Sequence, residues 1–460
     1  MTAIVTTPLK TEFIQNLFND LADSATHYYV GIGRSQDWND SDVAPTPLNT
    51  GREERDFRLN MQSMKLAADW SFVVPRNNWS TGTIYSAYSD VVAGHGATPY
   101  YVITEENAVY ICLRQGRDTL TGTANQSSVE PTGVDTTPQV YADGYVWKFL
   151  YTIGASDASK FLSANYMPVK FVDSTDSSSL AVYIEQKGIQ DAADSGQLAG
   201  VSVLNPGSGY VSQPTVTITG NGISGSANAV IVGSAVSYIE IDDSGSILSG
   251  IGNGYDYAAV SITGGSPTVN ATARAQLGPR DGFGRNPLID LRARAIMVNV
   301  KPDGTEGGEF IVDNFFRQIG LIKNPYLSDS GSPGPIATIA AGNTLKQVKL
   351  ASVSGTSFSG QIGETLVGAS STAQAIIDKY DSDAGTDYLW IHQTDSTGFG
   401  IFTTGETVTA GTASGVTDGS TAVVSPKIDP FSGDLLYIDN RAKIERDAAS
   451  SEDLKIVIEI

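Results

Sequence analysis

The chain of 460 residues contains a single cysteine, Cys112, and only three histidines, His27, His95 and His392. One cysteine cannot form an intrachain disulfide, and it excludes a cysteine-rich zinc site. No histidine has a second histidine or a cysteine at metal-ligand spacing, so we expect no metal and no cofactor. The sequence also lacks a Gly-X-Ser-X-Gly elbow and a Gly-X-X-X-X-Gly-Lys loop. We therefore predict no catalytic residue and a protein that is not an enzyme.

Charged residues are also scarce, at 17%, and their balance is acidic, with 29 Lys and Arg against 50 Asp and Glu and a net charge of −21. This field repels a phosphate backbone, so we expect no nucleic-acid partner. No stretch approaches the roughly 18 apolar residues of a membrane helix. The N-terminal segment lacks the basic and apolar regions of a signal peptide. The sequence therefore predicts no membrane partner and a protein that is soluble or joins an assembly.

Small residues are abundant instead, with 48 glycines, and this composition favours strands and turns. Helices are predicted only locally. Thr7-Pro8 offers a helix start before an amphipathic run of about 13 residues. Thr50 and Glu53 fit a capping box, and Phe57, Met61 and Met64 would follow on one helical face. The predicted fold is mainly β: a discontinuous, sandwich-like α+β body with a few helices and two inserted small β modules.

Two internal repeats define the predicted modules. Residues 207–220, "GSGYVSQPTVTITG", match 252–264, "GNGYDYAAVSITG", and residues 362–377 resemble 404–424 through a shared Gly-Glu-Thr. Each pair is too short for a solenoid, which needs three or more repeats. The predicted organisation is a body interrupted twice. Its body parts are 1–175, 285–327 and 428–460, and its inserted modules are 198–277 and 336–426.

The stretch "DGYVWKFLYTI" at 143–153 predicts a strand with an aromatic face. Alternate side chains of a strand share a face, so one face would carry Tyr145, Trp147, Phe149, Tyr151 and Ile153. A core under a helix or a second sheet, a subunit interface and a sugar-binding platform all need such a face. The acidic charge disfavours base stacking, and core packing is the preferred interpretation.

Two charged clusters have open interpretations. Asp381, Asp383 and Asp387 begin with calcium-loop spacing, but the twelfth position is His392 rather than glutamate, which favours a polar hairpin turn over a calcium site. A second cluster is either a docking patch for an acidic neighbour or a set of local pairs with Asp281 and Asp290. It consists of Arg274, Arg280, Arg285, Arg292 and Arg294.

Several stretches in a fixed order resemble a known family. They are "GRSQDW" at 33–38, "VVPRNNW" at 73–79, the aromatic strand at 143–153, "FRQIGLIKNP" at 316–325 and "SGDLLYIDNR" at 432–441, followed by the strand-like "EDLKIVIEI". This order resembles the dimeric baseplate wedge subunit of T-even-type contractile-tailed bacteriophages. The resemblance covers a little over half the chain. The two modules depart from the family pattern, so they inherit no role from it.

The resemblance implies a structural protein of the virion tail baseplate, assembled in the host cytoplasm. Its implied partners are other wedge proteins and a second copy of itself, and the inserted modules are predicted to contact tail-fibre or other peripheral tail proteins. A carbohydrate-binding or carbohydrate-degrading tail protein is the alternative. The tryptophans have two available roles, core packing and interface anchoring. The structural or interface candidates are Trp38, Trp79, Tyr145, Trp147, Phe149 and Arg317.

Overall fold

The computed structural model describes residues 4–39, 41–173, 180–328, 334–383 and 385–459. Strands account for 41% of the chain and helices for 12%, which confirms the mainly β prediction. Within the described ranges no helix is long and apolar enough to span a membrane. The α-helices in these ranges are Thr7–Ala22, Gly51–Asn60, Ala155–Phe161, Ala181–Asp191 and Pro287–Asp290.

The chain divides into two compact units. The first contains residues 1–15, 71–297 and 457–460, and the second contains 16–70 and 298–456. Each passage between the units falls inside a regular element. These elements are Thr7–Ala22, Asp69–Pro75, Ala295–Val300 and Leu454–Glu459. The predicted module at 198–277 thus belongs to the first unit, and the one at 336–426 belongs to the second.

The first unit contains an antiparallel sheet whose aromatic side chains form a core, here called the aromatic sheet. Its strands, in spatial order, are Tyr101–Ile103, Ala108–Arg114, Val146–Thr152 and Gln139–Val140. The core includes Tyr145, Trp147 and Phe149, together with Tyr110 and Ile189 of helix Ala181–Asp191. A further strand, Tyr166–Val169, pairs with residues 72–75, the part of strand Asp69–Pro75 that belongs to the same unit.

A β-bulge interrupts the predicted aromatic face. Tyr110 pairs with Phe149, but its neighbour Val109 pairs with Tyr151, so Leu150 is the extra residue. Each bulge shifts the alternation of side chains by one position. Tyr151 therefore lies on the opposite face from Phe149, where its hydroxyl donates to the carbonyl of Pro168 at 2.9 Å. The prediction of one face running from Tyr145 to Ile153 is wrong beyond Phe149.

The repeat in the glycine-rich region has a counterpart in the structure. Strand Thr215–Gly220 of one copy pairs antiparallel with Ala258–Thr263 of the other. Gly209 and Gly254 occupy equivalent turns with φ of 76° and 74°, a conformation that disfavours any side chain. A small pair, Ile223–Gly225 and Ile251–Asn253, lies beside a four-stranded sheet. That sheet has the order Ala227–Val232, Ala235–Ile241, Leu198–Asn205 and Thr272–Leu277.

The second unit is built on a five-stranded sheet, here called the body sheet. Its order is Ala341–Asn343, Met61–Leu66, Tyr28–Gly33, Asn314–Lys323 and Asp434–Arg446. Its neighbouring strands run antiparallel, and its core includes Tyr29, Phe57, Ile322 and Ile428.

The predicted helix after Thr50 ends earlier than expected. Thr50 caps helix Gly51–Asn60 by accepting a hydrogen bond from the Glu53 N–H at 3.3 Å, as the capping box requires. Met61 and Met64 lie in the next strand instead of the helix. The register shifts so that Gly33 pairs with Met61 and Ile32 with Ser63, which leaves Gln62 as a bulge. In a regular strand, side chains three positions apart face opposite sides of the sheet. The bulge changes this alternation, so Met61 and Met64 both pack into the same core, as they would on one face of a helix.

The second unit also contains a seven-stranded sheet with its own core, here called the module sheet. The core includes Val348, Phe358, Leu366, Ile377 and Leu389. The sheet begins at Lys346, whereas Ala337 packs in the core of the body sheet. In spatial order the strands are Thr386–His392, Gln374–Asp383, Thr365–Gly368, Thr407–Ala410, Ala413–Thr417, Lys346–Gly355 and Val423–Val424.

Candidate functional site

Arg317 lies on strand Asn314–Lys323 of the body sheet, at a register shift against strand Asp434–Arg446. Its side chain is 1% exposed. The guanidinium donates to both carboxylate oxygens of Asp42, at 2.7 and 2.9 Å, and also to Asp37 and the carbonyl of Ser35. Such forked, charge-assisted bonds are both strong and directional. One buried arginine therefore holds Ser35, Asp37 and Asp42 together.

The segment that Arg317 holds has an unusual backbone. Arg34 and Asp42 have φ of 64° and 48°, which side-chain-bearing residues seldom adopt. Asp42 also accepts the N–H of Trp38 at 3.1 Å. The hydrogen bond from Arg317 holds the pKa of the Asp42 carboxyl below its usual range. The same arginine thus pairs with the charge of Asp42 and bonds Ser35, next to Arg34, so it contacts the backbone near both unusual residues.

Trp38 connects this loop to the edge of the body sheet. Its indole Nε1 donates to the carbonyl of Arg441 at 2.9 Å. The guanidinium of Arg34 lies 4.1 Å from the centre of its ring, a cation–π distance. Trp38 is half-buried, so part of its surface stays open for contact.

The remaining sequence candidates lie in the first unit. Tyr145, Trp147 and Phe149 are at most 2% exposed, and the rings of Tyr145 and Trp147 stack at 5.9 Å. Trp79 is half-buried and packs against the same core. Its Nε1 donates to the hydroxyl of Ser127 at 3.2 Å, and that hydroxyl donates to Asp143. In the single chain these aromatic residues form an interior.

Sequence reasoning missed a buried polar chain in the second unit. Asp378 is 1% exposed and His392 is 5% exposed. The Asp378 carboxylate bonds His392 Nδ1 and accepts the Ser35 hydroxyl at 2.7 Å, while its carbonyl accepts the Asn314 amide. These bonds connect the module sheet to the loop held by Arg317. No motif signals them, because Ser35 and Asp378 are far apart in sequence.

A second missed pair lies in the first unit, on the far side of the aromatic strand. Burial lowers the pKa of Lys148 to about 8 and raises the pKa of Asp290 to about 7. Lys148 donates to the carbonyl of Thr136 at 2.5 Å, and Asp290 accepts the N–H of Gly284 at 2.9 Å. Two ionisable groups thus occupy a region where charge is disfavoured.

The raised pKa of Asp290 predicts that the free energy of unfolding depends on pH. Asp290 has a folded-state pKa of about 7, which exceeds the ordinary value near 3.9, so its favourable contribution is complete below about pH 4 and is lost as pH rises to 7. In Asp290→Asn this loss disappears. The unfolding free energy of the variant relative to the native chain should therefore increase by about 3 kcal/mol between pH 4 and 7. Denaturant titrations across this range measure it.

Exposed Asp281, in the turn before the helix that ends at Asp290, supplies the matched control, and we expect Asp281→Asn to leave the pH profile of stability unchanged. A constant difference between Asp290→Asn and the native chain from pH 4 to 7 would contradict the raised pKa.

Four members of the arginine cluster bond residues that lie far away in sequence, instead of the local partners Asp281 and Asp290 that were expected. Arg274 bonds Asp90 at 2.7 Å, Arg285 lies 3.4 Å from Asp191, and Arg294 lies 2.9 Å from Glu459. Arg292 donates to the carbonyls of Ser89 and Gly94 and lies over the rings of Tyr88 and Tyr100, at 4.9 and 5.0 Å. These contacts join segments within the first unit.

The acidic turn around Asp381 was the candidate for a calcium site. Asp381 accepts a bond from Lys379 at 2.8 Å, and position 384 lies outside the described residues. In the part of the chain that the structure describes, no group of three or more His, Cys, Asp or Glu side chains is arranged to hold a metal ion.

Comparison with known proteins adds no relative. No protein-family model matches the chain, and no curated protein matches it.

Proposed function

We propose that the chain is a structural subunit of a baseplate wedge in a contractile phage tail, where it joins neighbouring wedge proteins. One observation carries the proposal. Three of the stretches that resemble the wedge family, 33–38, 316–325 and 432–441, lie in contact in the second unit through Arg317 and Trp38. Stretches that form one connected cluster are better support than isolated matches.

The chemistry of this cluster suits a scaffold. A buried arginine with carboxylate partners adds little net stability over apolar packing, but it fixes one geometry. We infer that Arg317 serves to hold the loop 34–42 in one shape. Asp37 is 69% exposed and Trp38 is half-buried, so this loop can present both to a partner. Tryptophan is enriched among residues that dominate binding energy.

The partners follow from the same proposal. The chain would contact other wedge proteins and a second copy of itself in the virion, after assembly in the host cytoplasm. The inserted modules would contact tail-fibre or other peripheral tail proteins. No catalytic step is assigned.

Particles made without the chain test the proposal. We expect phage whose gene for this chain carries an early stop codon to yield no complete baseplates in electron micrographs, with assembly restored by supplying the native chain. Complete, infectious tails without the chain would contradict a wedge role.

The dimer is tested in solution. We expect light scattering to give twice the 48.5 kDa of one chain at micromolar concentration, because a two-fold interface uses the same patch on both copies. A mass of one chain across that range would contradict it.

The module sheet gives a further prediction. Gln347 pairs with Val424, so the ends of 346–424 lie together and a short Gly/Ser linker can replace that segment. The shortened chain should fold, dimerise and lose binding to at least one tail component. Removal of 336–426 should be more damaging, because it also deletes Ala337 and strand Ala341–Asn343 from the body sheet. Calorimetry and co-purification measure the two effects.

Two results would contradict this prediction. If the chain with the 346–424 replacement fails to fold, the module sheet is part of the body core. If particles built with the shortened chain are infectious, the module sheet has no necessary contact to another tail protein.

A further inference from the structure

The second unit contains a cavity of about 390 Å³ beside the module sheet. Pockets for small ligands usually measure about 300–1,000 Å³, so its size suits a small molecule. The described residues used below that line it are Ser328, Lys346, His392, Phe399, Asp429 and Phe431.

Two buried polar atoms without a partner among the described residues belong to side chains that line this cavity. They are His392 Nε2 and the hydroxyl oxygen of Ser328. Because the Asp378 carboxylate can only accept, Nδ1 of His392 carries the hydrogen of this bond, which leaves Nε2 for a second hydrogen bond. Buried polar atoms in native proteins are nearly always paired. A ligand with hydroxyl groups could bond both atoms.

The charges around the cavity argue against an anionic ligand. Arg58 also lines it, but its guanidinium is occupied by Glu54 and by the carbonyls of Pro430, Ser432 and Gly433. Lys346 and Asp429 then contribute one charge of each sign. Sites for phosphate or carboxylate carry an excess of positive donors. The charged groups of this cavity that the contacts of Arg58 leave over instead balance each other.

Aromatic side chains at the cavity set a second requirement for the ligand. Phe399 and Phe431 are each 56% exposed and both line the cavity. Large apolar side chains with this exposure beside hydroxyl-binding groups suit a ligand with one apolar face and a polar rim. A sugar ring has this character, since its C–H face packs on an aromatic ring while its hydroxyl groups form hydrogen bonds.

We propose that this cavity binds a neutral sugar unit, with Phe399 and Phe431 packing on the ring and His392 and Ser328 bonding its hydroxyl groups. The inference does not depend on the baseplate role. It assigns the second unit a glycan contact that a purely structural subunit lacks.

The first experiment applies the full chain to a glycan array and then titrates the strongest neutral sugar by calorimetry. Phe399→Ala should weaken binding about tenfold, since the ring loses its packing partner. Ile401→Ala is the matched control, because Ile401 is an exposed apolar residue nearby that does not line the cavity. Its affinity should equal that of the native chain. Ser328→Ala should also weaken binding.

The second experiment locates the site by nitrogen NMR of the histidine rings, of which the chain has only three. The sugar should shift the signal that His392→Gln removes, and leave those of His27 and His95 in place. Failure of every neutral sugar on the array to bind would overturn the proposal. Binding that survives both Phe399→Ala and Ser328→Ala, or that leaves the His392 signal unmoved, would overturn it as well.

Discussion

Replacement of Trp147 by alanine is expected to lower the free energy of unfolding by about 3–5 kcal/mol, the range for truncation of a buried large aromatic residue. Trp147 is 1% exposed, stacks on Tyr145 and makes an edge contact with Tyr85 at 5.4 Å. The alanine variant would leave a cavity between packed rings that cannot easily collapse. Denaturant titration with tyrosine and tryptophan fluorescence measures the loss.

Two variants separate packing from other effects. Trp147→Phe keeps a ring and removes the indole N–H, which is buried without a partner among the described residues, so it should cost far less. Trp79→Ala should also cost less, because Trp79 is only half-buried. A Trp147→Ala variant that keeps its melting temperature but loses a binding partner would place the aromatic face at a surface.

Replacement of Arg317 by alanine is expected to cost about 3 kcal/mol, at the lower end of the range for breaking a buried ion pair. The lower end applies because Asp37 is 69% exposed and regains water. The loop 34–42 should also lose its fixed shape, which limited proteolysis would reveal. If the loop contacts a wedge partner, binding should weaken together with stability.

Arg317→Lys tests the geometry. Lysine keeps the charge but cannot form the forked pair with Asp42, so most of the loss should persist. Arg441→Ala, half-exposed on the neighbouring strand, is the matched control and should change stability by less than about 1 kcal/mol. A native stability and an unchanged proteolysis pattern in Arg317→Ala would show that the loop does not depend on this arginine.

Local features of the fold were predictable from the sequence because they depend on neighbours along the chain. The capping box at Thr50 and Glu53 is such a case, and the mainly β class follows from composition and short strands. Bulges were not predictable. Gln62 and Leu150 are each one residue too many opposite the strand they pair with. That partner strand is distant in sequence, so the local sequence does not reveal the extra residue.

The candidate site was predictable only in part, for a related reason. The resemblance singled out Arg317 and Trp38, but nothing near either residue predicted the bonds to Asp42 and Arg441. The sequence showed only that His392 has no metal-ligand partner nearby, and no motif pointed to its partner Asp378. Such pairs depend on long-range contacts, which periodicity and local motifs do not encode.

The reactivity of the Cys112 thiol can measure how often the aromatic sheet opens. Cys112 lies directly opposite Trp147 in the sheet, is fully buried, and burial raises the pKa of its thiol well above the ordinary value. A thiol in this state reacts only when the surrounding strands separate, since the thiolate is the reactive species. The rate at which a thiol reagent labels the native chain therefore measures how often this one sheet opens, with no competing cysteine elsewhere in the sequence.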